Sequence, residues 1–460
     1  MTRRLNSTLL LLLSVITASA GELRVGWAEV DITPDLKAGP VFMAGFGQNR
    51  RATDVADPLM ARGVVLADGQ QTLAFVSIDV IGLFHENVER IRSKLTGIDY
   101  LVVSSTHNHE GPDTLGLWGP VPTKSGVDPV YMNKLENAIV EVVKAAKQQL
   151  KGASARIGRI ALPELIHDAR EPIVKHDELV VLQFLDQAGQ TAGLVVQWNC
   201  HPETLDSKNT RVSADFVGYT VKELKERWQC PVVYLTGTVG GLLTSLNVRI
   251  LDDQGQELKD GTFEKTERFG RKLAAAASSA LQRSEPLQLI PFQVRHREVF
   301  VPCDNKIYLA MRRLKVLSRE GYHWEGNPRN ARPADDAAQR IALKTEIGWL
   351  RLGDLEVATI PGEIYSELVL NQVPDPAPAG ADFPDAPREP AIYDQLKSRH
   401  RMIIGLANDE IGYILPKRLW DEKAPFTYGR KTAPYGEINS LGPETGPILC
   451  TEFQRLVRGE

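Results

Sequence analysis

Apolar positions follow two spacings along this chain, and the two alternate. Residues 99–103 form a β-branched apolar run typical of a buried strand, whereas over residues 128–150 apolar positions recur at helical spacing, with Lys and Glu on the opposite face. Residues 61–66 and 72–80 flank Asp68-Gly69 and predict a β-hairpin. Strands and helices that alternate in this order predict a layered α/β fold, a sandwich of mixed β-sheets flanked by helices.

The same spacings continue toward the C-terminus. They predict strands at residues 23–32, 155–160, 179–185, 194–198, 232–235, 287–301 and 401–406, and a second hairpin over residues 347–360. They predict helices at residues 87–95, 263–283 and 308–319 and from residues 213, 364 and 447. Residues 373–390 contain six prolines and predict a loop.

The first 20 residues predict a cleaved secretory signal. Arg3 and Arg4 precede an apolar stretch over residues 9–16, and Ala18-Ser19-Ala20 is typical of a cleavage site. The apolar stretch is too short to span a membrane, and no later run of the sequence reaches the roughly 20 apolar residues that a span needs. We therefore expect a secreted or periplasmic protein.

Charge and cysteine content narrow the functional classes. The chain has 460 residues, of which 43% are apolar and 24% charged, and its net charge of −4 offers no basic surface to DNA or RNA. We therefore expect no nucleic-acid partner. The four cysteines are too few and too scattered for a disulfide scaffold, but in an oxidising compartment they allow one or two bridges in any of three pairings. They are Cys200, Cys230, Cys303 and Cys450.

Two histidines follow the strand predicted at residues 99–103. His107 and His109 lie where this strand gives way to Gly111-Pro112, a position at which α/β proteins place chemistry. Residues i and i+2 of an extended segment point to the same side, so both rings can face one cavity. One imidazole can bind zinc while the other contacts substrate or carries a proton. The alternative is a pair of ordinary loop histidines that hydrogen-bond the backbone.

Other polar residues follow other predicted strands. His201 comes after strand 194–198, and Glu363 comes directly after the later hairpin, where it also suits the positive end of a following helix. Arg170, in an irregular loop, can clamp a carbonyl or carboxylate of a substrate or form an ordinary surface ion pair. The glycine-rich loop 237–241 can bring backbone N–H groups to an oxyanion, although it lacks the Gly-Lys-Ser/Thr ending of a phosphate-binding loop.

Taken in order, these motifs resemble those of the neutral ceramidase family, whose members are secreted or membrane-anchored zinc amidohydrolases. The segment Thr106-His107-Asn108-His109-Glu110-Gly111-Pro112 resembles the family's Thr-His-Thr-His-Ser-Gly-Pro. The other matching motifs are His201-Pro202, the run over residues 213–219, Ile360-Pro361-Gly362-Glu363, and Gly405-Leu406 leading to Tyr413-Ile414. The resemblance implies one catalytic domain over residues 21–460, with a metal site at the carboxyl ends of the strands.

The resemblance also implies a role for each matching residue. It implies a Zn²⁺ ion held by His107, His201, Glu363 and Tyr413. It implies substrate contacts, including donors to an oxyanion, from His109, Arg170 and Tyr435. Two imidazoles, a carboxylate and a phenol leave room at zinc for a water that the metal makes nucleophilic near neutral pH.

The chain departs from the family in the loop after strand 232–235. Where the family has Asn-x-Gly-Asp-Val-Ser-Pro, residues 238–244 read Thr-Val-Gly-Gly-Leu-Leu-Thr, so Leu243 stands at the position of the nucleophilic serine. Either Thr244 or Ser245 replaces the serine after a small shift of the loop, or zinc-bound hydroxide attacks directly, or hydrolysis is lost. We favour direct attack because it needs no replacement side chain. We also expect the chain to lack the C-terminal β-sandwich domain of the family's long members.

These observations predict a secreted zinc hydrolase of lipid and sphingolipid metabolism that cleaves an N-acyl amide bond in a ceramide-like or other small-molecule or lipid substrate. A peripheral membrane contact and the oligomeric state are left open. One alternative is a non-catalytic member of the same fold that binds a metal or a lipid. Another is a metal-dependent esterase or phosphoesterase in which Arg170 faces an anionic group.

Overall fold

The computed structural model describes residues 21–335 and 338–460, so the predicted secretory signal lies outside the described residues. The strands are β1 (Arg24–Asp31), β2 (Asp54–Val55), β3 (Met60–Ala67), β4 (Thr72–Ile78), β5 (Tyr100–Ser105), β6 (Lys151–Gly152), β7 (Ser154–Ala161), β8 (His167–Asp168), β9 (Glu178–Leu185), β10 (Thr191–Trp198), β11 (Arg211–Val212), β12 (Val232–Thr236), β13 (Leu243–Thr244), β14 (Glu285–Leu287), β15 (Phe292–Pro302), β16 (Tyr322–His323), β17 (Ile341–Leu352), β18 (Leu355–Thr359), β19 (Glu363–Ile364), β20 (His400–Ile404) and β21 (Tyr413–Ile414). The α-helices are α1 (His85–Ser93), α2 (Pro129–Gln148), α3 (Asp215–Trp228), α4 (Phe263–Gln282), α5 (Lys306–Arg313), α6 (Ser366–Leu370), α7 (Ile392–Gln395), α8 (Tyr435–Ile438) and α9 (Thr445–Arg458).

Most of the strands form three five-stranded mixed sheets. The first has the order β5-β4-β3-β1-β6, the second has the order β12-β10-β9-β7-β14, and the third has the order β15-β17-β18-β20 with β16 beside β17. Each sheet contains one parallel pair at an edge, namely β4 with β5, β10 with β12, and β18 with β20. All other pairs in these sheets are antiparallel.

The sheets pack on one another and are flanked by helices. One apolar cluster joins all three sheets and includes Phe75, Phe184 and Leu350. Helix α2 packs on β1 and β3, α3 and α4 pack on the second sheet, and α9 packs on β15 and β17. Each of these helices buries one apolar face, as α2 does with Leu135 and Ile139, four residues apart. The predicted fold class, a layered α/β sandwich of mixed sheets flanked by helices, is confirmed.

The parallel pairs bring strand ends from all three sheets together. The backbone N–H of Gly405, just after β20, donates to the carbonyl of Thr236 at the end of β12 at 2.9 Å. The N–H of Asn408 donates to the carbonyl of Val103 in β5 at 2.8 Å. The loops that carry the predicted His and Glu residues therefore begin at neighbouring points, as is usual for ligand sites at the carboxyl ends of parallel strands.

Three predicted element boundaries are wrong. Glu363 is not at a helix N-terminus, because Glu363–Ile364 pairs with Tyr413–Ile414 as β19 and β21, and α6 begins only at Ser366. The predicted strand 287–301 is divided into β14 and β15, since Pro291 has no N–H to donate to a sheet. The helix predicted at residues 308–319 is α5, which ends at Arg313 before Lys315 adopts a φ of 57°.

The four cysteines are buried and unpaired, so the disulfide bridges that the sequence allows do not form. Cys200 and Cys230 lie in the apolar core between the second sheet and its helices. Cys303 and Cys450 lie in the apolar core beside the third sheet. Among the residues described, every helix is too short or too polar to traverse a lipid bilayer.

Candidate active site

His107 leaves β5 in a conformation fixed by the backbone around it. Its φ is 64°, in the left-handed region, and its Nδ1 hydrogen-bonds the carbonyl oxygen of Ile81 at 2.7 Å. A carbonyl can only accept, so the ring proton lies on Nδ1 and Nε2 keeps its lone pair. Nε2 lies 3.5 Å from Oε2 of Glu363. The ring is therefore oriented as metal-binding histidines commonly are, with one nitrogen on the backbone and the other free for a ligand.

His201 is held in the same way at the end of a strand of another sheet. It follows β10, and both its backbone N–H and its Nδ1 hydrogen-bond the carbonyl oxygen of Leu243 at 2.8 Å. Its Nε2 lies 2.8 Å from Oε2 of Glu363. The Nε2 atoms of two histidines from different sheets thus approach one carboxylate oxygen.

Glu363 and Tyr413 are direct neighbours in the pair formed by β19 and β21. The Tyr413 hydroxyl lies 3.5 Å from Nε2 of His201. Gly362 and Gly412 precede the two residues with φ values of 114° and 82°, and a Cβ atom at Gly362 would lie 2.7 Å from the carbonyl oxygen of Gly412. This close approach requires glycine. The four predicted metal ligands are thus brought together from loops that follow strands of all three sheets.

Burial and neighbouring charges set the protonation of this cluster. Burial lowers the pKa of His107 to about 4, although Glu363 opposes the shift. Burial also acts to lower the pKa of His201, but the carboxylates of Glu203 and Glu363 outweigh it and raise that pKa to about 9. Burial acts to raise the pKa of Glu363, but the two histidines outweigh it and lower that pKa. Glu363 is therefore ionised, and a cation at these donor atoms competes with the proton of His201.

The cluster opens into a cavity of about 410 Å³. His107, Glu363 and Tyr413 are among its polar lining residues. Much of the remaining lining is apolar, and we call the following six residues the apolar wall: Ile81, Phe84, Leu115, Leu117, Trp118 and Leu317. A cavity that joins a polar cluster to an apolar wall suits a molecule with a polar linkage and a hydrocarbon chain.

His109 and Tyr435 also line the cavity. Neither ring nitrogen of His109 makes a hydrogen bond with a residue that the structure describes, and Nδ1 lies 3.3 Å from Oε1 of Glu203. Gly45 has a φ of 96°, and a Cβ atom there would lie 2.4 Å from the imidazole of His109. Tyr435 begins α8, its ring packs edge-on against Tyr413, and it is 52% exposed. Both side chains are placed where they can contact a bound molecule.

Arg170 lies apart from the residues that line the cavity. Its guanidinium donates to both carboxylate oxygens of Glu437, at 2.8 and 2.9 Å, to the hydroxyl of Tyr365 at 2.8 Å and to the carbonyl oxygen of Leu419 at 3.0 Å. The side chain is buried, and within the described part of the chain Nε is its one nitrogen without a hydrogen-bond partner. Arg170 therefore forms a buried ion pair rather than a surface pair, and its contact with substrate stays a prediction.

The comparisons with known proteins identify one group of relatives. No protein-family model matches the sequence. The neutral ceramidase of Pseudomonas aeruginosa is 25% identical over 319 residues, which are 62% of this chain and 46% of that protein, so the chain spans about half of this relative's length. The crystal structure of neutral ceramidase from Pseudomonas aeruginosa matches with a TM-score of 0.72 at 17% identity, covering 95% of this chain and 74% of that one. The chain is thus similar to neutral ceramidase in sequence and in fold.

A second solved structure agrees. A ceramidase complexed with C2 matches this neutral ceramidase-like chain with a TM-score of 0.70 at 16% identity, covering 95% of this chain and 75% of that one. The sequence match supports the resemblance, and the structural matches show that the fold is shared. The family resemblance read from the motifs is thus confirmed.

The loop after β12 carries the departure from the neutral ceramidase motif. The side chain of Leu243 is fully buried in the core beneath the second sheet. Leu242, with a φ of 61°, lines the cavity instead. Leu243 therefore contributes to the site through its carbonyl group, which orients His201.

The two hydroxyls proposed as replacements for the serine are both engaged elsewhere. Thr244 Oγ1 donates to Oε2 of Glu203 at 2.6 Å. Ser245 is fully buried, and its Oγ donates to the carbonyl oxygen of His201 at 3.1 Å and accepts from the hydroxyl of Thr204 at 3.0 Å. Neither residue lines the cavity. Neither hydroxyl therefore faces a molecule that binds in the cavity.

Two carboxylates of the candidate site were not predicted. Glu203 lines the cavity and lies only two residues after His201, a spacing that the sequence displays. Glu410 also lines the cavity, and it forms with His107 and Glu363 a group whose donor atoms lie within 4.8 Å of one another. The sequence carries no comparable signal for Glu410, because its position depends on the loop between β20 and β21.

Proposed function

We propose that this chain is a zinc-dependent amidohydrolase of the neutral ceramidase type, which cleaves the N-acyl amide bond of a ceramide-like lipid. The observation that carries the proposal is the convergence of His107, His201, Glu363 and Tyr413 beside one cavity with an apolar wall. The sequence likeness to a neutral ceramidase supports the choice of reaction and substrate class.

The four donor groups fit zinc. Two imidazole nitrogens, a carboxylate and a phenol form a mixed nitrogen and oxygen set of the kind that zinc binds. The hydrogen bonds from Nδ1 of His107 and His201 to backbone carbonyls fix the tautomer that a metal ligand needs. When bound, zinc polarises a substrate carbonyl and lowers the pKa of a bound water toward neutrality.

The other residues of the cavity bind and orient the substrate. The apolar wall receives a hydrocarbon chain, at a gain of about 0.8 kcal/mol for each buried methylene group. The hydroxyl of Tyr435 donates a hydrogen bond to the oxyanion that forms on the attacked carbonyl. Water is the attacking group, because Thr244 and Ser245 are committed to internal partners.

We place this activity outside the cytoplasm. The support is the secretory pattern of residues 1–20, after which residues 21–460 form one catalytic domain. A ceramide-like substrate places the protein in sphingolipid metabolism and requires transient contact with the membrane surface that holds the lipid.

Two other functions are less well supported. A non-catalytic lipid-binding role is favoured by Leu242 and Leu243, since neither can act as a nucleophile. The phosphoesterase alternative has Arg170 facing an anionic group of the substrate, and Arg170 is instead paired with Glu437. The ligand set of two histidines and a carboxylate argues for retained chemistry in preference to the non-catalytic role.

The test is to measure the zinc content of the purified protein together with hydrolysis of a fluorescent N-acyl sphingosine. We expect about one zinc per chain and hydrolysis that stops on chelation and returns when zinc is added. Hydrolysis that survives complete removal of the metal contradicts the zinc mechanism. Zinc with cleavage of esters or phosphoesters alone supports the second enzyme class, and the absence of both zinc and hydrolysis supports the binding protein.

A further inference from the structure

Glu203 is placed at the cavity by the loop that also carries His201. Its backbone N–H approaches the carbonyl oxygen of His201 at 3.1 Å and Oγ of Ser245 at 3.2 Å. Its side chain lines the cavity and is 15% exposed. The backbone of Glu203 is therefore fixed, and its carboxylate reaches the space where a substrate would bind.

The two oxygens of Glu203 face two different partners. Oε2 accepts a hydrogen bond from the hydroxyl of Thr244 at 2.6 Å. That hydroxyl oxygen in turn accepts from the backbone N–H of Leu246 at 3.0 Å, so its proton is committed to Glu203. The other oxygen, Oε1, lies 3.3 Å from Nδ1 of His109.

His109 depends on Glu203 for the choice of its tautomer. Its ring is buried, and neither nitrogen makes a hydrogen bond with a described residue, although Nδ1 lies 3.3 Å from Oε1 of Glu203. Phe46 packs edge-on against the ring, and the imidazoles of His107 and His201 lie 5.1 and 5.9 Å away between centroids. A carboxylate can only accept a hydrogen bond, so its position beside Nδ1 favours the tautomer that carries the proton there.

The geometry points to a series of polar contacts, Thr244–Glu203–His109, in which Glu203 is a positioning residue whose carboxylate, 3.3 Å from Nδ1, favours the proton of His109 on that nitrogen. Nε2 of His109 is thereby left as the proton acceptor of the ring. In such a series a third group orients the base. Here His109 follows β5, Glu203 follows β10, and Thr244 lies in β13.

The role that this inference gives His109 in catalysis rests on the proposed amide hydrolysis. As a water oxygen bonds to the carbonyl carbon of the substrate, one water proton passes to Nε2 of His109. The imidazolium that forms is stabilised by the carboxylate of Glu203, whose Oε1 lies 3.3 Å from Nδ1. When the tetrahedral intermediate collapses, the C–N bond breaks and Nε2 returns the proton to the leaving amine nitrogen, which restores neutral His109.

The tautomer of His109 can be tested without any substrate. Imidazole ¹⁵N chemical shifts distinguish a protonated from a bare ring nitrogen, and the signals of His109 are those that disappear in His109→Gln. We expect a proton on Nδ1 in the unaltered protein as isolated. In Glu203→Gln we expect it on Nε2, because Thr244 still donates to the side-chain carbonyl and the amide N–H then turns toward Nδ1.

Kinetics provide the second readout. We expect Glu203→Gln to lower kcat on the N-acyl sphingosine about 100-fold, with KM and zinc content nearly unchanged. Glu203→Asp keeps a carboxylate and is expected to recover part of kcat. Glu141→Gln removes an exposed carboxylate from α2 and serves as the control, with activity equal to that of the unaltered protein.

The outcomes separate this inference from the proposed function. A His109 tautomer that does not respond to Glu203→Gln overturns the inference. Undiminished hydrolysis by Glu203→Gln also overturns it and leaves the proposed function standing. A tautomer that responds in a chain that hydrolyses no acyl amide supports the positioning contact and removes the proposed function.

Discussion

The two sides of the candidate site differ in what holds their aromatic side chains. On the side that would hold the metal, which we call the metal side, Nδ1 of His107 and Nδ1 of His201 bond backbone carbonyls at 2.7 and 2.8 Å. On the side that would contact the substrate, which we call the substrate side, the ring of His109 makes no hydrogen bond with a described residue, and Tyr435 is 52% exposed at the start of a helix of four residues. The metal side is therefore fixed by the backbone, whereas the substrate side is fixed by neighbouring side chains.

This difference follows from what each side must do. Metal ligands need their tautomer and direction set in advance, and a carbonyl at the end of a sheet strand supplies both. Groups that contact a substrate exchange protons with it and respond to the charge that develops on it during the reaction. Side-chain partners suit these groups because they can move with them. Substitutions on the two sides should accordingly separate metal binding from turnover.

The largest effect is expected for His201→Ala. This change removes an Nε2 atom from the metal side, so we expect the protein to lose its zinc and its activity to fall to that of chelated protein. Metal content by mass spectrometry is the measurement. His296→Ala is the control, since that histidine lies outside the cavity with its side chain 48% exposed, and it should keep the metal. Full zinc retention in His201→Ala would show that the ligand set is wrong.

A smaller effect, confined to turnover, is expected for Gly45→Ala. The φ of 96° disfavours any other residue, and the added methyl group would lie 2.4 Å from the ring of His109, which must move. A displacement of about 1 Å at a catalytic group commonly costs about 100-fold in rate, so we expect kcat/KM to fall by that factor with zinc unchanged. Gly47→Ala meets no atom within 4 Å and is the matched control. Loss of zinc in Gly45→Ala would break the distinction between the two sides.

Local elements of this fold could be predicted from the sequence, but their assembly could not. The helix expected at residues 263–283 is observed as Phe263–Gln282, because its apolar positions recur within one element. The pairing of strands into three sheets depends instead on contacts between distant segments, as in β4 with β5 and β18 with β20. The order of the motifs resembles that of a known family, and this resemblance gave information about the assembly that periodicity alone did not give.

The candidate site divides in the same way. His107, His201 and Glu363 could be found because each follows an apolar run that ends at a loop. Arg170 could not be placed, because its partner Glu437 lies 267 residues further along the chain. At the position compared with the family's serine, the sequence also could not show which leucine faces the cavity, since that depends on the φ of 61° at Leu242.

The smallest effect is expected for Tyr435→Phe. The ring is half exposed and packs on Tyr413 by its edge, so the change leaves zinc content and the melting temperature unaltered. A single hydrogen bond contributes about 0.5–1.5 kcal/mol, which corresponds to a fall in kcat/KM of at most about tenfold. Tyr428→Phe is the control, because that tyrosine is 45% exposed and lies outside the cavity. Turnover equal to that of the control would show that the hydroxyl of Tyr435 takes no part in the reaction. A loss of zinc would instead show that Tyr435 belongs to the metal side, whose residues are held by the backbone.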